Sequence, residues 1–73
     1  MNISLMEERV LRYVLAHPGC NKSQVTAAVS PQSSGRGNRA VVDAIQDGLI
    51  ETRALNGPYQ LHVTSFGADW IQG

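Results

Sequence analysis

Residues 48–64 read Gly48-Leu49-Ile50-Glu51-Thr52-Arg53-Ala54-Leu55-Asn56-Gly57-Pro58-Tyr59-Gln60-Leu61-His62-Val63-Thr64. Here the spacing of apolar residues changes from helical to alternating. Ile50, Thr52 and Ala54 alternate with Glu51, Arg53 and Leu55, and Tyr59, Leu61 and Val63 alternate with Gln60, His62 and Thr64. A period of two is the mark of strands. Between the two runs stands Asn56-Gly57, the dipeptide best suited to the positive φ angles of a tight hairpin turn. Pro58 has no N–H to give to a ladder, so it belongs at an unpaired position.

Working back from the hairpin, the apolar residues recur every three or four positions. Val41, Val42, Ile45 and Leu49 fall on one side of a helix that runs to about Asp47. Arg39, Ala40, Asp43, Gln46 and Asp47 fall on the other, with Arg36 in line if the helix starts early. Asn38 falls on the core side, where it suits a cap better than a contact to a ligand. Residues 30–38 hold the most turn-prone composition in the chain and read as a loop, with Ser33, Ser34 or Asn38 capping the helix that follows. Further back, Asn21 and Gln24 have capping-box spacing and open a short helix with Val25, Ala28 and Val29 on its apolar face, ended by Pro31. Ser4 and Glu7 repeat that spacing at the head of the first helix, preceded by Ile3. Its stripe is Met6, Val10, Tyr13 and Val14 with Leu11 and Leu15 alongside, and Glu7, Glu8, Arg9 and Arg12 lie mostly outside it. His17-Pro18-Gly19 stops it. Forward of the hairpin, Thr64 to Ile71 reads as a short closing helix or turn that folds Phe66, Trp70 and Ile71 back on the core.

Composition bounds what such a chain does. At 73 residues it is one domain's length, spanning 1–73. A chain this small buries only about 60% of its unfolded surface, and its 1 Cys rules out an internal disulfide. A lone thiol suits a reducing, cytoplasmic setting. The longest apolar run, Tyr13 to Ala16, falls far short of the ~20 residues of a membrane helix. Glu7 and Glu8 interrupt the place where a signal peptide would be apolar, so the expected protein is soluble and stays where it was made. Formal net charge is +0, but the charges are not evenly spread. Residues 21–42 carry Lys22, Arg36 and Arg39 with no acid, and residues 43–73 carry Arg53 against Asp43, Asp47, Glu51 and Asp69. The middle segment is a local positive field.

The order helix, helix, loop, helix, hairpin resembles a known family. Gly48-Leu49-Ile50-Glu51 after a helix, then a hairpin ending Tyr59 through Gly67, is similar to the helix-to-wing junction of winged helix-turn-helix transcription regulators, and the resemblance covers nearly the whole chain. It implies an α+β fold: a three-helix core, a two-stranded β-hairpin wing and a short C-terminal helix or turn. In that family the third helix enters the major groove of DNA and the wing touches the backbone or minor groove. Carried onto this sequence, the groove-facing positions are Gln32, Ser33, Ser34, Arg36 and Arg39. Lys22 and Ser23, opening helix two, would meet a neighbouring phosphate, and Arg53, Asn56 and Gly57 would form the wing.

Elementary chemistry points the same way. Arginine makes bidentate contacts to guanine O6 and N7, and serine hydroxyls suit phosphate. Gly35 and Gly37 would let the backbone approach a phosphate closely. The alternative for the arginines is a solvated face, and for the hairpin a role confined to completing the core. Asp43 and Asp47 share the outward face. Either one accepts from a cytosine amino group, or only the first turn of the helix meets DNA.

His17, Cys20 and His62 are too few and wrongly spaced for a structural metal site. His17 is better read as helping to end helix one, where a positive charge meets the dipole, and Cys20 as a small apolar residue. Tyr13, Tyr59, Phe66 and Trp70 are expected in the core. No catalytic constellation or nucleotide-binding glycine loop stands out. The expectation is therefore a small sequence-specific reader of double-stranded DNA, a transcription regulator rather than an enzyme, with no cofactor, metal or small-molecule ligand. Pairing into a homodimer would supply the affinity that one short helix lacks. The competing expectation is a winged helix used only for protein–protein contact.

Overall fold

A computed structural model describes residues 3–54 and 59–72. The elements run α1 (Leu5–Ala16), α2 (Lys22–Val29), α3 (Ser34–Gln46), β1 (Ile50–Arg53), β2 (Gln60–Val63) and α4 (Ser65–Gln72). The expected turn at Asn56-Gly57, with Leu55 and Pro58, lies outside the described residues. Among the described residues no helix is long and apolar enough to cross a membrane.

Local chemistry sets most helix ends. Ser4 Oγ accepts the Glu7 N–H at 3.1 Å. Asn21 and Gln24 form a reciprocal capping box, with bonds of 2.8 and 2.9 Å. α1 stops before Pro18, and Gly19 adopts φ 89°, a left-handed conformation that glycine takes without a β-carbon penalty.

The strands pair antiparallel in the register Ile50 to Val63 through Arg53 to Gln60. Cys20 bridges to Leu61 on the other edge of β2. The bonds are Gly19 N–H to Leu61 O and Leu61 N–H to Cys20 O, both 2.9 Å. The turn after α1 is thereby stitched to the hairpin.

The core gathers Val10, Leu11 and Val14 of α1, Val25 of α2, Ala40, Val41 and Ala44 of α3, and Leu49, Ile50 and Leu61 around the hairpin. Trp70 and Ile71 pack against it as expected. Several other assignments need correction. α3 begins at Ser34, so half of the expected loop is helical. Ser33 occupies the N-cap position without a side-chain bond, and neither Ser34 nor Asn38 caps. Ala40 is buried, while Val42 is only half-buried. The buried stripe of α3 is Gly37, Ala40, Val41 and Ala44, a set of mostly small residues that lets α1 and α2 come close.

At Gly37 a β-carbon would stand 2.8 Å from Thr26 Cγ2 and 3.2 Å from Thr26 Cα. Gly37 therefore serves helix–helix contact and is not a point of approach for phosphate. On α2, Thr26 is buried where Ala28 was expected and Ala28 is exposed. Glu7 is buried rather than outside the stripe, and Leu15, Tyr59 and Phe66 are exposed. Phe66 falls on the outer face of α4 because Gly67 takes the inner one.

Gly67 lies directly against the α3–β1 junction. A β-carbon there would land on the Leu49 carbonyl oxygen and stand 3.0 Å from Val63 Cγ1. Thr64 completes the junction. Its hydroxyl donates to Gly48 O at 2.6 Å and accepts the Gly67 N–H at 3.0 Å, while its own N–H donates to Leu49 O at 3.0 Å.

Gly67→Ala is expected to lower unfolding stability by about 1–3 kcal/mol, the usual range for overpacking. Gly35 faces open space in the first turn of α3, so Gly35→Ala should raise stability by roughly 0.5–1 kcal/mol. Urea denaturation of the two variants checks both signs.

Candidate nucleic-acid interface

With its small-residue stripe turned inward, α3 presents Gly35, Arg39, Val42 and Gln46 as its outermost ridge at 100° per residue. Gly35, Arg39 and Gln46 are exposed. Two shoulders flank this ridge. On the side of α2, Ser34 and Asn38 line a groove with Ser23 and Thr26. On the side of α1, Arg36, Arg39 and Asp43 line a groove with Ser4 and Met6.

Sequence reasoning misplaced Asn38, which is exposed on the α2 shoulder. The Thr26 hydroxyl donates to its Oδ1 at 3.1 Å. That bond orients the amide while using none of its hydrogens. The signal lay next door: a glycine inside a helix marks close contact with a neighbour, which puts the following residue at the rim of that contact. Tyr59 was also misplaced. It is exposed and lines a groove with Asn21, Lys22 and Ser23, so its side chain sits beside the start of α2.

The remaining site residues divide as follows. Lys22 is half-buried and Ser23 exposed at the head of α2, Gln32 is exposed and Ser33 half-buried in the turn, and Ser34, Arg36 and Arg39 are exposed. Arg53 is exposed on β1. Asn56 and Gly57 lie outside the described residues. The Ser33 side chain makes no cap bond and so does not claim the first-turn N–H groups of α3. A tight turn precedes them, in which Ser30 Oγ donates to Ser33 O at 2.7 Å.

Ion pairing sorts the charges. Arg12 pairs with Glu8, Arg39 with Asp43 and Arg53 with Glu51 at 2.9, 3.1 and 2.6 Å. Among the described residues Arg9, Lys22 and Arg36 take no part in such pairs, and neither do Glu7, Asp47 and Asp69. The unpaired cations therefore lie on α1, at the head of α2 and in the first turn of α3. Two unpaired acids, Glu7 and Asp47, meet at the other end of α3. Arg39 remains usable, because an exposed i,i+4 pair is worth only about 0.3–0.5 kcal/mol.

Glu7 stands apart from these exposed groups. Its residue is buried, and its Oε2 has no hydrogen-bond partner among the described residues. Burial, together with the facing Asp47 carboxyl and the charge of Asp43, pushes its pKa above the ordinary value, with the Ser4 N–H working the other way. Burial likewise pushes the Cys20 thiol up, which disfavours the thiolate a metal or nucleophilic role requires. The His17 ring stacks against Tyr13 with centroids 4.5 Å apart, and His62 faces Gln60. Among the described residues no group of three ligating side chains could hold a metal ion.

No protein-family model matches the sequence, and no curated protein does. A solved structure matches the fold. SSV1 F-93 aligns with a TM-score of 0.81 at 23% identity, over 99% of this chain and 80% of that chain. The fold is a winged helix. In its terms α2 and α3 form the helix-turn-helix, and β1 and β2 are the strands of the wing.

Because the folded-state pKa of Glu7 is raised, its contribution to stability is complete below the unfolded value, about pH 4.3. That contribution is lost as pH rises through the higher folded-state value. Glu7→Gln should therefore raise the urea midpoint at pH 7 and flatten the decline in stability above about pH 4.3. Denaturation curves from pH 4 to pH 8 check this, and a Gln variant weaker than wild type at pH 7 would contradict it.

Proposed function

We propose that this winged helix is a small sequence-specific double-stranded DNA-binding protein, a transcription regulator that reads the major groove with α3. One observation carries the reading. Among the described residues, the three cations that take no part in ion pairs lie on α1 and at the heads of α2 and α3, next to outward-facing side chains that can read bases. Asn38 suits adenine N6 and N7, Arg39 suits guanine O6 and N7, and Val42 can meet a thymine methyl. Lys22, Ser23 and Tyr59 are placed for the phosphates along one side of the groove. Arg53 keeps N–H donors beyond the two that it gives to Glu51, and these suit a backbone contact from the wing. Gln32, Ser33, Ser34 and Arg36 complete the leading edge. Asp43 and Asp47 hold the C-terminal half of α3 away from phosphate.

In this reading the protein is no enzyme, needs no cofactor and works in the cytoplasm as one of the winged helix-turn-helix regulators. A homodimer supplies the second half-site. The exposure of Leu5 at 63% and Phe66 at 50% favours some protein contact, and it also supports the second reading, a winged helix that binds only protein. Such large apolar side chains are common constituents of interfaces.

Selection from random duplexes followed by a salt titration tests the proposal. The log–log slope of affinity against salt should be near −0.9 per phosphate contacted. No binding at low salt would leave the protein-contact reading. Arg36→Ala combined with Arg39→Ala should abolish specific binding without moving the thermal midpoint. Asn38→Ala should cost about 1–3 kcal/mol and relax preference at one base pair.

A further inference from the structure

We propose that Arg9 of α1 and Arg36 of α3 form a phosphate-binding cleft that grips a phosphodiester of the duplex backbone, opposite the contacts made from α2. This rests on the DNA-binding reading.

Both arginines line one cleft of about 240 Å³ at the leading end of α3, with Gln32 and Ser33 as polar and Val29 and Pro31 as apolar lining. They come from different elements and share the cleft without an acid. Arg12, three residues after Arg9, is held by Glu8, and Arg39, three residues after Arg36, is held by Asp43. Two unpaired guanidinium groups beside one cleft repel each other. An anion between them turns that repulsion into attraction, and their fork-shaped donors match the oxygens of a phosphate. The internal bond from Ser30 to the Ser33 carbonyl braces the turn that carries Gln32.

Groove geometry supplies the occupant. A helix in the major groove, about 12 Å wide, has a wall of phosphates on each side. The α2 side is provided for by Lys22, Ser23 and Tyr59. The α1 side of α3 offers Arg36, and the only unpaired cation facing it among the described residues is Arg9. Arg9 thus acts on the backbone and carries no sequence information.

The test compares wild type with Arg9→Ala on the selected duplex across a range of salt. Arg9 is exposed, so the variant should melt as wild type does. With Arg9 gone the phosphate keeps only Arg36, so duplex affinity at low salt should fall several-fold and the fall should shrink as salt rises, with base preference unchanged. Affinity equal to wild type at low salt would overturn the proposal. If wild type binds no duplex, the DNA reading fails, and amide-shift titration of wild type with inorganic phosphate decides the cleft by itself. Shifts centred on Arg9, Gln32, Ser33 and Arg36 would sustain a site for a free phosphate group. Absent or scattered shifts would overturn it.

Discussion

The Thr64 hydroxyl joins the end of α3, the start of the wing and the first turn of α4 in a single pair of hydrogen bonds, to Gly48 O and from the Gly67 N–H. The Thr64 N–H adds the bond to Leu49 O. The buried Leu49 carbonyl must find a partner, and here it finds one in the segment that follows β2, which also bonds the exposed Gly48 carbonyl. Contact this close requires glycine at position 67. With the junction held, β1 must leave α3 in one direction, β2 must return beside it, and Leu61 reaches the Cys20 edge. The orientation of α3 relative to the hairpin follows from that clasp.

A second constraint lies at the other end of α3. Gly37 against Thr26 brings α2 close, and the Thr26 hydroxyl then meets Asn38. Small residues at a helix contact do more than fill space: they decide which neighbouring side chains are pushed to the rim. Here the side chains at the rim are Asn38 and Ser34, and they become the polar shoulder of the exposed face.

Net charge says little about such a surface. With equal numbers of acids and bases the molecule is neutral, yet among the described residues three short-range pairs cancel in place and leave a polarised remainder. The leading end of α3 keeps cations, and its trailing end keeps Glu7 and Asp47. A helix so divided carries a positive local potential at its first turns and a negative one at its last. The cost is carried by Glu7, a buried carboxyl in unfavourable company.

Sequence alone determined the elements. Capping boxes at Ser4 and Asn21, the Pro18-Gly19 stop, the switch to a period of two after Gly48 and the glycine three residues past Thr64 are all local signals, because hydrogen-bonding caps and strand alternation act within a few residues. They were enough for a three-helix core with a hairpin. Tertiary structure decided which residues face where. Ala40 went inward and Val42 stayed half out because the buried face of α3 was selected by how closely α1 and α2 could approach, which apolar size does not reveal. Phe66 and Tyr59 stayed exposed because Gly67 claimed the inner face of α4 and because β2 starts beside α2. Asn38 and Arg9 entered the candidate interface for the same reason: it is assembled from turns far apart in the chain, and only packing brings them together.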